Sequence, residues 1–320
     1  MPEVLKLNDG AVIGQILLQL EAAKAAGWMA GASTLVKSSQ KIQQYRWLGM
    51  APAVREWIGG RQPQGLRADA YSLENLKFEA TLDVEVDDLN RDNFGQIRQR
   101  IADLAGRANG HWDLLGSAAL ALGESQLCYD GKPFFATDHQ EGKSGPQSNL
   151  LDEIQVPELL VDDAAAPSAL EMATAVLGCI SWQFGFKDDQ GEFLNGAAKR
   201  FLLMIPVPLF IPAIAATSVD NFPIAGVLRD NPLVQLKDNV QVSLVVNPSL
   251  EWTSSFVLLR LDASSKPLIR QEEYDVKISS KGEGSDYSHD TDRHEYGLKF
   301  SRNVGYAFWQ YAQKATFSEI

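Results

Sequence analysis

LKFEATLDVEVD, residues 76–87, decides the reading of this chain. Leu76, Phe78, Ala80, Leu82, Val84 and Val86 occupy every second position, and Lys77, Glu79, Thr81, Asp83, Glu85 and Asp87 fill the gaps. Unbroken period-two alternation places the apolar side chains on one face of an extended strand and nearly all the charge on the other. At roughly 3.3 Å per residue such a strand runs about 40 Å, about twice the usual length in a globular domain. The expectation is a ribbon that extends beyond the body carrying it, its apolar face covered by its own helix or by a neighbouring subunit. The chain reads as one built to assemble.

The flanks fit that picture. Residues 61–71 are polar and basic and carry Pro63 and Gly65, as suits the tip or first limb of a long hairpin whose return limb is the alternating strand. After the strand, Asn90 or Asp92 can cap a helix in which Phe94, Ile97, Ile101, Leu104 and Ala108 recur at spacings of three and four. Gly110 interrupts, and Trp112, Leu115, Ala119 and Leu122 resume the stripe until Gly123. Collinear halves would make a spine of about 45 Å at 1.5 Å rise per residue.

Further out, residues 11–26 predict a helix with Ile13, Ile16, Leu17, Leu20 and Ala23 on one face, ended by Gly27. A mobile Gly, Ser and Ala stretch follows to Ser39. In residues 45–61, Pro52 opens a short helix with Val54, Trp57 and Ile58 on one face, and Gly59 and Gly60 stop it. CYDGKPFFATDH, 128–139, reads as a hairpin turning at Asp130 and Gly131, and 140–149 as a loop. A second region has strands at 159–161, 201–206, 240–246 and 256–261 and a helix capped by Ser168 with Leu170, Ala173, Leu177 and Phe184 on its stripe. Strands mixed with helices point to an α+β fold. Residues 201–216 are the most apolar run, but Pro206, Pro208 and Pro212 and its short length favour a buried strand and a turn over a membrane span.

The 320 residues carry 29 basic against 41 acidic side chains, a formal net charge of -12, which argues against general binding to nucleic acid or anionic membrane. The imbalance is uneven. Residues 1–61 hold seven bases and four acids, a net of +3, and residues 271–295 hold three bases and eight acids, a net of -5. Opposite signs suit contacts between neighbouring copies or simply solvated mixed surfaces. Cys128 and Cys179 make no disulfide framework, and MPEVLKLNDG lacks the features of a signal peptide, so a reducing cytoplasm is the expected setting.

Chemistry-bearing patterns are weak. His289, Asp290, Asp292, His294 and Glu295 resemble metal ligands only in composition, because no helix gathers them onto one face. Asp138 and His139, adjacent in an extended segment, point to opposite faces. KGEGS, 281–285, lacks the spacing of a phosphate loop. No cofactor is expected, and no enzymatic motif is present.

Three motifs then converge: YRWLGMAPAVREWIGGR (45–61), CYDGKPFFATDH (128–139) and KGEGSDYSHDTDRHEYGLKFSRNVGYAFWQ (281–310). Together they resemble the major head subunit of Mu-like tailed phages and prophages, the gpT family, with the Trp-Leu-Gly and Arg-Glu-Trp elements the most specific. The resemblance implies a Hong Kong 97-type major capsid protein fold. Its parts would be an N-terminal arm (1–45), a short helix and extended loop (46–91, the loop itself 55–87), a peripheral domain with a spine helix (92–154), an axial domain (155–270) and a return to the peripheral domain (271–320). It also implies self-assembly as hexamers and pentamers into an icosahedral virion shell around double-stranded DNA held in weak, non-specific contact. A portal would be a partner, with scaffold, protease or decoration proteins as further candidates, and no membrane.

On this reading Trp57, Arg61, Arg67, Tyr71, Lys77, Phe78 and Leu82 are the candidate contacts between subunits. Two other readings stay open: a metal-dependent hydrolase using His289, Asp292 and His294, and a nanocompartment shell of the same fold with protein cargo.

Overall fold

The alternating stretch does form a strand, embedded in a sheet rather than projecting from one. The structure, a computed structural model, describes residues 9–22, 27–46, 48, 71–90, 94–224 and 227–320. It opens with α1 (Asp9–Ala22), α2 (Met29–Ala32), β1 (Ser33–Lys37), β2 (Ile42–Tyr45), β3 (Tyr71–Glu74), β4 (Leu76–Glu85), α3 (Val86–Asn90) and α4 (Phe94–Ala121). The middle holds β5 (Leu150–Leu151), β6 (Leu160–Val161), α5 (Ala169–Phe184), β7 (Arg200–Ile205), α6 (Phe210–Ser218), β8 (Asn221–Ile224) and β9 (Val227–Asp230). Then come α7 (Pro232–Gln235), β10 (Gln241–Val246), β11 (Ser255–Arg260), β12 (Leu268–Lys281), α8 (Asp286–Thr291), β13 (Arg293–Tyr306), β14 (Ala312–Thr316) and β15 (Ser318–Glu319).

The first sheet has the order β1-β12-β13-β4. β4 runs antiparallel to β13 along its whole length, from Leu76 opposite Arg302 to Glu85 opposite Arg293. Its apolar face is therefore continuous with the buried side of β13, where Tyr296, Leu298 and Phe300 lie opposite Leu82, Ala80 and Phe78. α4 covers that face with Ile97, Ile101, Ala105 and Ala108, the spacing of three and four that the sequence displays. α4 is unbroken over 28 residues, about 42 Å at 1.5 Å per residue. Gly110 is exposed and costs only helix propensity, which is why it does not interrupt.

The expected extended loop is thus shortened at its far end. Residues 71–74 pair with 42–45 as β3 and β2, and 76–85 belong to the sheet, so Phe78 and Leu82 pack on their own subunit's core. The short helix expected within 45–61 and the loop tip fall largely outside the described residues. A second correction concerns the N-terminal segment. α1 buries Val12, Ile16 and Leu20, and Asn109 of α4 donates to the Leu20 carbonyl at 3.1 Å. The stretch expected to be mobile contains β1, parallel to β12.

The second sheet has the order β10-β7-β11-β14-β5. Its central β7 and β11, FLLMI and SFVLL, are nearly continuous apolar runs because both faces are covered. α5 starts at a capping box: the Ser168 hydroxyl accepts from the Glu171 N–H at 3.3 Å and the Glu171 carboxylate from the Ser168 N–H at 2.6 Å. Gly178 lets α5 approach the turn at 157–159, since a Cβ there would lie 2.6 Å from Val156 Cγ1. Residues 210–218, expected as a turn, are the helix α6. Pro212 fits there because it occupies the first turn, where a missing N–H leaves nothing unpaired.

The two sheets share a junction. Beyond β13, Trp309 is fully buried, and Tyr306 stacks on Phe134 with ring centroids 4.5 Å apart. The 128–139 segment keeps its expected turn, with Gly131 at φ 81° and the Cys128 N–H bound to the Lys132 carbonyl at 2.6 Å. It forms isolated bridges, Pro133 with Leu127 and His139 with Gln147, instead of two strands, because Phe134 and Phe135 turn into the core. The last strands differ from expectation too: β14 joins the second sheet between β11 and β5.

Ile101→Ala should lower unfolding free energy by about 2–5 kcal/mol, read from urea denaturation. His111 lies 4.2 Å from Phe78 and 5.2 Å from Phe300, ring centroid to centroid. Burial, aided by the Arg302 charge, pushes its imidazole down from 6.5 to about 4. The native ring stays neutral where the unfolded one protonates, so its contribution is complete above pH 6.5 and is lost as pH falls from 6.5 toward 4. Wild type should therefore lose more stability than His111→Phe between about pH 7 and about pH 4.5. Equal losses would contradict this.

Candidate assembly surface

Of the seven residues expected at subunit contacts, Trp57, Arg61 and Arg67 lie outside the described residues. Tyr71 is half-buried: its hydroxyl accepts from the Tyr306 N–H at 3.1 Å, and burial pushes the phenol up to about 12. Phe78 stacks on Phe300 with centroids 5.8 Å apart, and Leu82 packs against the same core. Lys77 is exposed on the opposite, charged face of β4. Of the four described, Tyr71, Phe78 and Leu82 turn inward and Lys77 outward, so these four do not form one surface. Period-two alternation says that one face is buried, but not by which chain.

The described residues do carry a different apolar surface. On α6, Pro212, Ala213 and Ala216 are buried, and α5 lies alongside. The other side carries Phe210, Ile211 and Ile214, exposed at 42%, 76% and 43%. After β8, β9 exposes Val227 and Leu228 at 60% and 72%. A helix that is apolar all round is normally buried on all sides, and contiguous exposed apolar side chains mark sites of association. The β8–β9 hairpin is tied to this helix by Asn231, fully buried, which donates to the Ala216 and Val219 carbonyls at 2.7 Å each and accepts from the Leu233 N–H at 3.0 Å. Sequence reading missed this surface because Pro206, Pro208 and Pro212 hid the helical spacing of 210, 211 and 214.

The other candidate groups disperse. His289 is exposed on α8, Asp292 closes that helix in the left-handed region (φ 52°), and His294 is buried on β13 opposite Val84. Among the described residues no group of three or more His, Cys, Asp or Glu is placed to hold a metal ion. His139 is fully buried, but its partner is Asp130, at 2.6 Å from Nδ1, with Asn149 Oδ1 3.2 Å from Nε2 and the Trp309 ring stacked at 4.1 Å. Asp138 instead pairs with Lys132 at the surface, which holds its carboxyl below the usual range. Both cysteines are buried, and burial pushes the thiols up. Among the described residues no helix is long and apolar enough to cross a membrane.

The chain's fold is similar to that of a chain in the procapsid of bacteriophage JBD30. The likeness has a TM-score of 0.56 over 97% of this chain and 75% of that one, at 23% identity. The fold is the Hong Kong 97 type of phage capsid subunits. A family model, Mu-like prophage major head subunit gpT, matches residues 19–169 and 229–318, and the chain belongs to that family. Relatives include the Mu-like prophage FluMu major head subunit of Haemophilus influenzae, 35% identical over 127 residues, 40% of this chain and 41% of the relative. The major capsid protein of Escherichia phage Mu is 36% identical over 180 residues, 52% of this chain and 59% of that one. The matches span about half the length of these two relatives.

Asn231→Ala strands the buried Ala216 carbonyl, the part-buried Val219 carbonyl and a helix-start N–H. It should cost about 1–3 kcal/mol in urea unfolding and speed proteolytic cleavage within the hairpin.

Proposed function

We propose that the chain is the major capsid subunit of a Mu-like tailed phage or prophage, assembling as hexamers and pentamers into an icosahedral shell that encloses double-stranded DNA. The observation that carries this reading is the family match, which covers all four strands of the first sheet and, in the second, every strand except β7. The mechanism is association: each contact is modest, and many copies multiply it. The apolar side of α6 and the β9 side chains become buried between copies. Trp57, Arg61, Arg67 and Lys77 contribute at the loop, where an exposed ion pair adds about 0–1 kcal/mol. Tyr71, Phe78 and Leu82 act indirectly, by holding the sheet from which that loop departs.

The net charge of -12 suits a container that holds DNA without binding it tightly. A portal completes the shell, with scaffold, protease and decoration proteins as further partners. The protein works in the virion after assembly in the host cytoplasm, and it has no catalytic role.

The test pairs Ile211→Glu with Leu228→Glu. Both side chains are exposed, so the subunit should keep its circular dichroism and melting temperature, while particle yield by sedimentation falls at least about tenfold, the effect of roughly 1.4 kcal/mol per subunit contact. Normal yields would contradict the placement of this surface. Arg61→Glu with Arg67→Glu tests the loop in the same way.

A further inference from the structure

The helix-facing side of the first sheet is not apolar throughout. Arg270 on β12 and Arg302 on β13 sit beneath α4 with Glu272 and Lys37, at a crevice of about 290 Å³ that Trp112 and Asp113 of α4 also line. We propose that this crevice binds an oxyanion of carboxylate or phosphate size, recognised by the Arg270 and Arg302 guanidinium groups.

Both guanidiniums lie against the same indole, their Cζ atoms 5.6 and 4.8 Å from the Trp112 centroid, and Arg302 also lies 3.7 Å from the centre of Phe300. Arg302 is 4% exposed and its Nη2 donates to the Ala108 carbonyl at 2.7 Å, so it is fixed in place. The Nε of each arginine is buried without any acceptor. An unpaired buried donor on a charged group is costly, and native chains rarely leave two side by side.

The carboxylates around the crevice do not fill the gap. Glu272 is taken by Lys37, and Asp113 accepts the Met29 N–H at 3.1 Å. Asp275 and Glu272 attract Arg302 by charge, yet neither bonds its Nε. Lys37, Arg270 and Arg302 are matched in number by Asp113, Glu272 and Asp275. Selectivity here therefore rests on directed N–H groups and a stacked, planar fork more than on net charge, which favours oxyanions over chloride.

The acceptor has two sources, free phosphate or a side-chain carboxylate of a second copy, and the second rests on the shell reading above. Thermal unfolding of the isolated subunit in inorganic phosphate, acetate and chloride at matched ionic strength separates the site from assembly. Phosphate strengthens burial in any protein, so the decisive quantity is the response of wild type minus that of Arg270→Met, whose half-buried position makes it the safer substitution. Wild type should gain about 2 °C or more over the variant in phosphate and in acetate, and Arg270→Lys should recover less than half of that gain. If Arg270→Met responds to phosphate as wild type does, the site is overturned, whatever its particle yield. Given the expected response, a variant yield reduced about tenfold assigns the acceptor to a second copy. An unchanged yield assigns it to the free anion.

Discussion

Burial of β13 beneath α4 is the constraint on which the rest of the structure depends. β13 lies between β12 and β4, so its hydrogen bonds are used on both edges while Tyr296, Leu298 and Phe300 press against Ile97, Ile101 and Ala105. The chain then continues past Tyr306, whose hydroxyl donates to the Ala119 carbonyl at 2.6 Å near the end of α4, and reaches Trp309 in the core of the second sheet. One strand thereby fixes the long helix, the first sheet and the second sheet relative to one another.

The same packing leaves apolar side chains exposed. Within the chain, Val84 of β4 is buried and Phe78 and Leu82 are half-buried on the first sheet's core, while Leu76 at the strand's start is exposed. Among the exposed apolar side chains are those of α6 and β9, held to the second sheet through α5 and the buried Asn231. The buried polar groups point the same way. Asp130 and Asn149 bracket the His139 ring by hydrogen bonds, and Trp309 stacks on it at the junction. Arg270 and Arg302 form an unsatisfied pair at the surface of the other sheet.

Much of this was legible from residue pattern. Ile97, Ile101 and Ala108 marked α4, Ser168 marked the start of α5, and the apolar runs at 201–206 and 256–261 marked the two central strands of the second sheet. The gpT motifs carried the fold class, and family membership bears it out. What pattern could not supply was the partner of each face. Phe78 and Leu82 read as covered partly within the subunit and partly by a neighbour, and the pairing of β4 with β13 supplies the share within the subunit. β1 was hidden by its short length among Gly, Ser and Ala, and α6 by its prolines. The Asp130–His139 pair lies across a glycine turn whose geometry no local spacing encodes.

The most direct measurement is imaging of the purified wild-type chain at the resolution of side chains. The account predicts closed shells in which Ile211, Ile214 and Leu228 are covered by an adjacent copy, while Phe78 and Leu82 remain under α4 of their own subunit. A monodisperse monomer that stays soluble at high concentration, or shells with the α6 surface open to solvent, would contradict it.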